Sequence, residues 1–378
     1  LSRRFHRAHV SVRDGLFGLR GAQIRQFFVG GVQSGDDFAE LGGPDAATHL
    51  LARSLGVLDV RAGLGDFIGF TSGWGYWLGS VIAQVGYANL FFSTIGHYVP
   101  VLRNNLVLAV ATSALTWVIF AALTRGVKQA ALMNLVTTIA KLVPILAFIV
   151  LIAFIGFSWD KFTVDFWGRA SEASVFEQVQ GIMLFTVWVF IGVEGASVYS
   201  KQASKRTDVG RATVIGFFSV LALLVSVSTL SFGVMSKEEL AALPDNSMAS
   251  VLTEVTGPWG GALISIGLCL SVLGAYVSWQ MLCAEPIVMM AIDGLIPRRI
   301  GTINVAGAPW VAQLISTMSI QLFIIVFYLN EASYNAMVQL ATIMYLLPYI
   351  FSSLYLLLLT LRGKGLSHPQ AGIKFDLS

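Results

Sequence analysis

The sequence predicts an all-α, polytopic membrane helix bundle, and three observations carry that prediction. The composition is 56% hydrophobic and only 12% charged, against about 25% charged in an ordinary soluble domain. Apolar runs long enough to cross ~30 Å of hydrocarbon recur between residues 73 and 361. The loops joining these runs alternate between basic and nearly uncharged. In lipid an open sheet would leave backbone N–H and C=O groups unpaired, so the runs are read as helices.

Eight spans follow in order. The first, 73–99, is rich in Gly, Ser and Ala, which suits close packing between membrane helices; it leads through Arg103 to the second, 105–123. Arg125 and Lys128 precede the third, 132–157, which carries Lys141. Lys161 and Arg169 separate it from 179–200, whose middle holds Glu194. A loop with Lys201, Lys205, Arg206 and Arg211 leads to 212–235, and Lys237 follows that span. The sixth, 259–290, contains Trp279, Glu285 and Pro286. Its two cysteines, Cys269 and Cys283, are 14 residues apart, roughly 21 Å along a helix and too far to bridge within it. Arg298 and Arg299 precede 310–329, no basic residue falls in 330–334, and Arg362 and Lys364 follow the last span, 335–361. Taking alternate loops together, ten basic residues stand on one side and four on the other. The first set is read as cytoplasmic by the positive-inside rule, which places both chain ends there. Trp159, Trp167, Trp259 and Trp310, near span ends, read as interfacial anchors.

Three regions result: a non-spanning N-terminal segment 1–65 with eight arginines, a transmembrane region 66–361, and a cytoplasmic tail 362–378. The basic start lacks the apolar core of a secretory signal. The glycines of "FFVGGVQSGD" (27–36) precede no helix pattern and support no phosphate site. A net charge of +3, dispersed along the chain, does not suggest nucleic acid. The scattered histidines and two cysteines give no metal or disulfide framework, so no metal or cofactor is expected. Neither HExxH nor GxSxG occurs, which speaks against an enzyme.

Charged residues at mid-membrane cost about 2.5–3.5 kcal/mol on insertion scales and are functional candidates by default. Glu194, Lys141 and Glu285 qualify. Each has a plainer reading: Glu194 as a buried acid paired to another helix, Lys141 snorkelling toward the cytoplasm, Glu285 capping packed helices beside Pro286. Gly192 and Gly195 bracket Glu194, and glycine costs roughly 1 kcal/mol in a helix interior. The pair suggests a segment that unwinds near the midplane, where free carbonyls and negative helix ends hold cations. Trp188 and Trp279, deeper than the other tryptophans, could place an aromatic face against a cation.

The stretch "FTVWVFIGVEGASVYSKQASKRTDVGRATVIG" (185–216) resembles the sixth helix and following loop of the amino acid–polyamine–organocation superfamily, nearest its basic amino acid antiporters and their arginine/ornithine exchangers. "SGWGYWLGSVIAQVGYANLFFSTIGHYVP" (72–100), "NLVTTIAKLVPIL" (134–146), "WQMLCAEPIVMMAIDGLIP" (279–297) and "LLPYIFSSLYLLLL" (346–359) resemble its helices three, five, eight and ten. The resemblance implies an inverted-repeat (5+5) transporter fold of which about eight helices, the family's third to tenth, lie here. The family's first helix, which binds the substrate carboxylate, has no recognisable counterpart in 1–65, and the second, eleventh and twelfth have none either.

By the same resemblance, the carbonyls of Trp188 and Ile191, beside Gly192, would hold a substrate α-ammonium, and Trp279 would stack on its distal cation. Glu194 would couple occupancy to gating, and Tyr76, Gln84 and Tyr87 would line the gate and side-chain pocket. Lys141 matches a lysine that stands in place of a sodium ion in several relatives, and Glu285 joins the coupling candidates. The implied activity is exchange of arginine for ornithine across an inner membrane, with lysine or polyamines as further substrates and a homodimer as a possible assembly. Two rival expectations are proton-coupled uptake of one basic amino acid, with Glu194 or Glu285 titrating, and a transport-incompetent fragment that only assembles with other chains.

Overall fold

Gly65 fixes where the first long helix begins. Its φ of 92° is a left-handed conformation that glycine adopts without a steric penalty, and it divides a short helix α1 (Val57–Leu64) from α2 (Asp66–Gly96). The first span therefore starts at Asp66 rather than residue 73, with Asp66 in the first turn where a carboxylate favours the helix dipole. The computed structural model describes residues 57–125, 131–164, 174–192, 206–243, 246–330 and 333–361.

The remaining helices are α3 (Asn105–Thr124), α4 (Ala131–Leu151), α5 (Trp159–Thr163), α6 (Val175–Phe190), α7 (Arg206–Ser231), α8 (Lys237–Ala241), α9 (Ser247–Thr256), α10 (Pro258–Ile292), α11 (Trp310–Leu329) and α12 (Tyr334–Leu361). Local chemistry explains several starts. The Asn104 side chain accepts the N–H groups of Leu106 and Val107 to open α3, and Ser174 with Glu177 forms a capping box on α6. Ser236 and Glu239 do the same for α8. No strand occurs among the described residues.

Among the described residues, seven helices are long and apolar enough to cross a membrane. They are α2, α3, the Ile139–Gly156 part of α4 with its π turn, α7, α10, α11 and α12. The chain is thus a multi-pass membrane protein. The fourth expected span, 179–200, differs: α6 begins earlier, stops at Phe190 and is only 16 residues long. Residues 193–200 lie outside the described ones.

Helices α2 and α10 form the centre, with 56% and 44% of the residues in their apolar windows buried, whereas α7 has 6% and lies at the periphery. Val81, Ile82 and Ala83 of α2 share one core with Cys283, Ala284 and Ile287 of α10, Ile320 of α11, and Ala341 and Tyr345 of α12. Helix α4 crosses α10 at Gly267 and Gly274, where a Cβ would run into Pro144 and Thr137. Small residues permit this approach in a membrane, where dispersion rather than water drives association.

A polar seam stitches the same helices together. Trp77 Nε1 donates to Ser316 Oγ at 3.0 Å, Gln280 Nε2 to Thr317 Oγ1 at 3.3 Å, and the Thr116 and Tyr276 hydroxyls meet at 2.7 Å. At the C-terminal end of α10, Arg61 forms a clamp. Its Nε donates to Asp66 Oδ1 at 2.7 Å and its Nη1 to the Asp293 carbonyl at 2.9 Å. The bond to Asp66 holds the guanidinium pKa still higher than usual.

Candidate functional site

The spacing of Tyr76, Ser80, Gln84 and Tyr87 places all four on one face of α2. That face meets α10 and α12 in the shared core. The Tyr345 ring of α12 stands edge-on to Tyr76 with centroids 5.1 Å apart. It also lies 6.4 Å from Trp188 of α6 and 6.3 Å from Trp279 of α10. Tyr87 reaches Trp188 from the other side at 6.1 Å. Five rings from four helices thus form one aromatic cluster, termed the cage below, with spacings inside the range where ring quadrupoles interact.

Helix α6 ends beside this cage. Trp188 sits in its last turn; Ile191 leaves the helix with φ −62° and ψ 129°, and its N–H donates to the Trp188 carbonyl at 3.2 Å. Gly192 follows at φ 107°, and a methyl group built on it would lie 3.7 Å from Trp279 Cζ2. The last turn of a helix carries carbonyls without intrahelical donors and the negative end of the dipole. This edge of the cage therefore favours a cation.

Gln84 supplies a second acceptor. Its Nε2 donates to the Tyr276 carbonyl at 3.0 Å; a carbonyl only accepts, so this contact fixes which way the amide points. Oε1 is then left buried with no hydrogen-bond partner. Such an atom is costly until a donor arrives. Arginine, lysine and ornithine side chains are donors only.

A family model described as amino acid permease matches residues 51–373, most of the chain. The chain belongs to the amino acid permease family. This permease chain is 65% identical over 337 residues to an L-lysine transport protein of Corynebacterium glutamicum, covering 87% of itself and 67% of that relative. It is 46% identical over 314 residues to an arginine/ornithine antiporter of Pseudomonas aeruginosa, covering 80% and 65%. An arginine/agmatine antiporter of Chlamydia pneumoniae is 36% identical over 321 residues, covering 82% and 65%. The chain spans about two thirds of the length of these relatives. The family is one of transporters rather than enzymes.

Within this permease, Tyr76, Tyr87, Trp188, Ile191, Gly192 and Trp279 gather at the cage, and Gln84 lies on the same face of α2 with its amide nitrogen turned to the Tyr276 carbonyl. Glu194 lies outside the described residues. Glu285 is half-buried, six residues beyond Trp279, about 9 Å along the helix and on a different face. Lys141 is exposed, while Thr137, Ala140 and Pro144 of the same helix face α10. Among the described residues no ion pair joins Glu285 or Lys141 to the cage. Two cage members, Tyr345 and Ser80, escape sequence reasoning. A tyrosine in an apolar helix reads as core, and only its position one turn before Pro348 hints otherwise.

Proposed function

We propose that this chain carries cationic amino acids across the cell inner membrane by exchange, arginine against ornithine, through alternating access around the aromatic cage. The carrying observation is the lining. Aromatic faces, the C-terminal carbonyls of α6 and the unpartnered Gln84 oxygen all seek a positively charged donor. A ring face contributes about 0.5–2 kcal/mol to a cation within ~6 Å. Trp188 and Ile191 offer carbonyls to the α-ammonium, Trp279 stacks on the distal cation, and Tyr76, Gln84 and Tyr87 line its path. Glu194 couples occupancy to gating, with Lys141 and Glu285 assisting. Both exchanged substrates carry one positive charge, so the membrane potential does not oppose the exchange. The basic loops and both chain ends face the cytoplasm, and two copies form a homodimer.

The test is uptake of labelled arginine by the purified chain in liposomes, either loaded with ornithine or empty. Uptake confined to loaded vesicles supports exchange. Glu194→Ala nearly abolishes that uptake while insertion is retained; unchanged turnover in an inserted Glu194→Ala protein removes the coupling role.

One observation favours a second reading. The relative at 65% identity is named an L-lysine transport protein, which fits lysine as the substrate; the second reading takes its uptake to be proton-coupled. Lysine uptake into empty vesicles, driven by an acid exterior, decides for that alternative. No flux under either condition, with the protein inserted, points to a transport-incompetent chain.

A further inference from the structure

Tyr345 touches nearly every element of the proposed site. Its side chain is 1% exposed, and its ring is almost equidistant from Trp279 at 6.3 Å and Trp188 at 6.4 Å. Those indoles come from α6 and α10, so the phenol neighbours both rather than one. Tyr76 braces it edge-on at 5.1 Å.

The ring is also held in place by its hydroxyl. Ser80 has a single hydroxyl proton, and Ser80 Oγ lies 2.9 Å from the Tyr76 carbonyl, which can only accept. The 2.8 Å contact between Tyr345 and Ser80 therefore runs with Tyr345 as donor. Swinging the ring away would give up this hydrogen bond, while Ser80 would keep its own bond to the Tyr76 carbonyl. Behind the ring, Gly79 leaves just enough room, since a Cβ there would come within 2.9 Å of Tyr345 Cδ2. The phenol is thus seated on α2 by a hydrogen bond and a missing side chain together.

We infer that Tyr345 is a specificity-determining residue: it forms the end wall that sets how long a cationic side chain the site accepts. This assignment rests on the cationic reading proposed above. A side chain with its cation over Trp279 abuts the phenol. An extra methylene has to displace a ring that is hydrogen-bonded and backed by the α2 backbone, and a shorter chain leaves a gap. A hydrophobic pocket discriminates one methylene by about 10- to 200-fold, and the rigid wall is what allows that here.

The experiment is equilibrium binding to the purified full chain in detergent, using 2,4-diaminobutyrate, ornithine, lysine, arginine and homoarginine as ligands. The wild type prefers arginine over homoarginine by about tenfold or more. Tyr345→Ala erases or reverses that preference. Tyr345→Phe and Ser80→Ala loosen the ring without removing it, and each narrows the ratio about threefold. These two keep the test decisive if Tyr345→Ala does not fold. An unchanged arginine-to-homoarginine ratio in Tyr345→Phe and Ser80→Ala, or a common factor applied to every ligand in Tyr345→Ala, overturns the assignment. A wild type that binds no member of the series overturns the cationic reading itself, whereas binding with unmoved rankings overturns only the role of Tyr345.

Discussion

Replacing Gln84 by Met separates a binding role from a packing role, because the two predict opposite signs. The substitution keeps volume and removes the amide. Lost is one hydrogen bond, Nε2 to the Tyr276 carbonyl at 3.0 Å, worth about 1 kcal/mol and often nearer 0.6 in membrane helices. That carbonyl keeps its place in the backbone ladder of α10. Gained is relief of the buried Oε1 that has no partner, about 1–3 kcal/mol. The ligand-free protein should therefore be unchanged or more stable by up to about 2 kcal/mol. Binding should move the other way, since a hydrogen bond to a charged donor contributes about 1.5–3 kcal/mol, a ten- to roughly hundredfold loss of arginine affinity. Thermal unfolding in detergent, with and without arginine, reads both quantities. A Gln84→Met protein that melts several degrees lower yet binds arginine normally would refute the reasoning and make Gln84 a scaffold residue.

Four further outcomes rest on the same geometry. Trp279→Leu removes the ring face offered to the distal cation and weakens arginine binding by up to about thirtyfold, with Trp279→Phe intermediate; equilibrium binding checks both. Gly267→Leu drives a side chain into Pro144 and the Ala140 carbonyl and destabilises the α4–α10 crossing by about 1–3 kcal/mol. Gly181→Ala, where nothing lies near the added methyl, is neutral or stabilising, and heating followed by gel filtration ranks the two. Glu239 accepts the Ser236 backbone and side-chain bonds that hold its pKa below the ordinary Glu value. Its folded value is the lower one, so its support for α8 is present above the unfolded pKa and fades as pH falls through the folded pKa. The protection of the Lys237–Ala241 amides, measured as exchange relative to the intrinsic rate at each pH, should fall on acidification in the wild type and stay level in Glu239→Gln.

What the sequence disclosed depended on whether a feature was local. Long apolar runs announce themselves, so α3, α10, α11 and α12 fall close to their expected places. The start of α2 was misplaced because it is set by the conformation of Gly65, not by where apolarity begins. Glycines beside an acid signalled irregularity, and the chain does leave the helix at Ile191 and Gly192, but the path past Gly192 depends on what surrounds it. The tryptophans stood out by depth. Tyr345 and Ser80 did not, because a buried phenol at helical spacing looks like any core residue until its partner on another helix is known. Gln84 entered through resemblance, and nothing in a string of letters shows that one side of its amide is paired and the other is not. The sequence alone leaves Lys141 open between two readings, and its exposure on α4 is a tertiary fact.

The lengths of the central helices have a mechanical consequence. At 35 residues, α10 is ~52 Å long, well beyond ~30 Å of hydrocarbon, so it must tilt or project from the bilayer. Trp279 lies 13 residues from Ile292, a lever arm of ~20 Å. A rotation of α10 against α2 of about 5° at the cage, the size of a side-chain adjustment around a ligand, displaces the far end by ~1.7 Å over that arm. The Arg61 bond to the Asp293 carbonyl spans 2.9 Å and does not survive such a stretch. Arg61 thus ties the junction of α1 and α2 to the far end of that arm, where any rotation of α10 about the cage is largest.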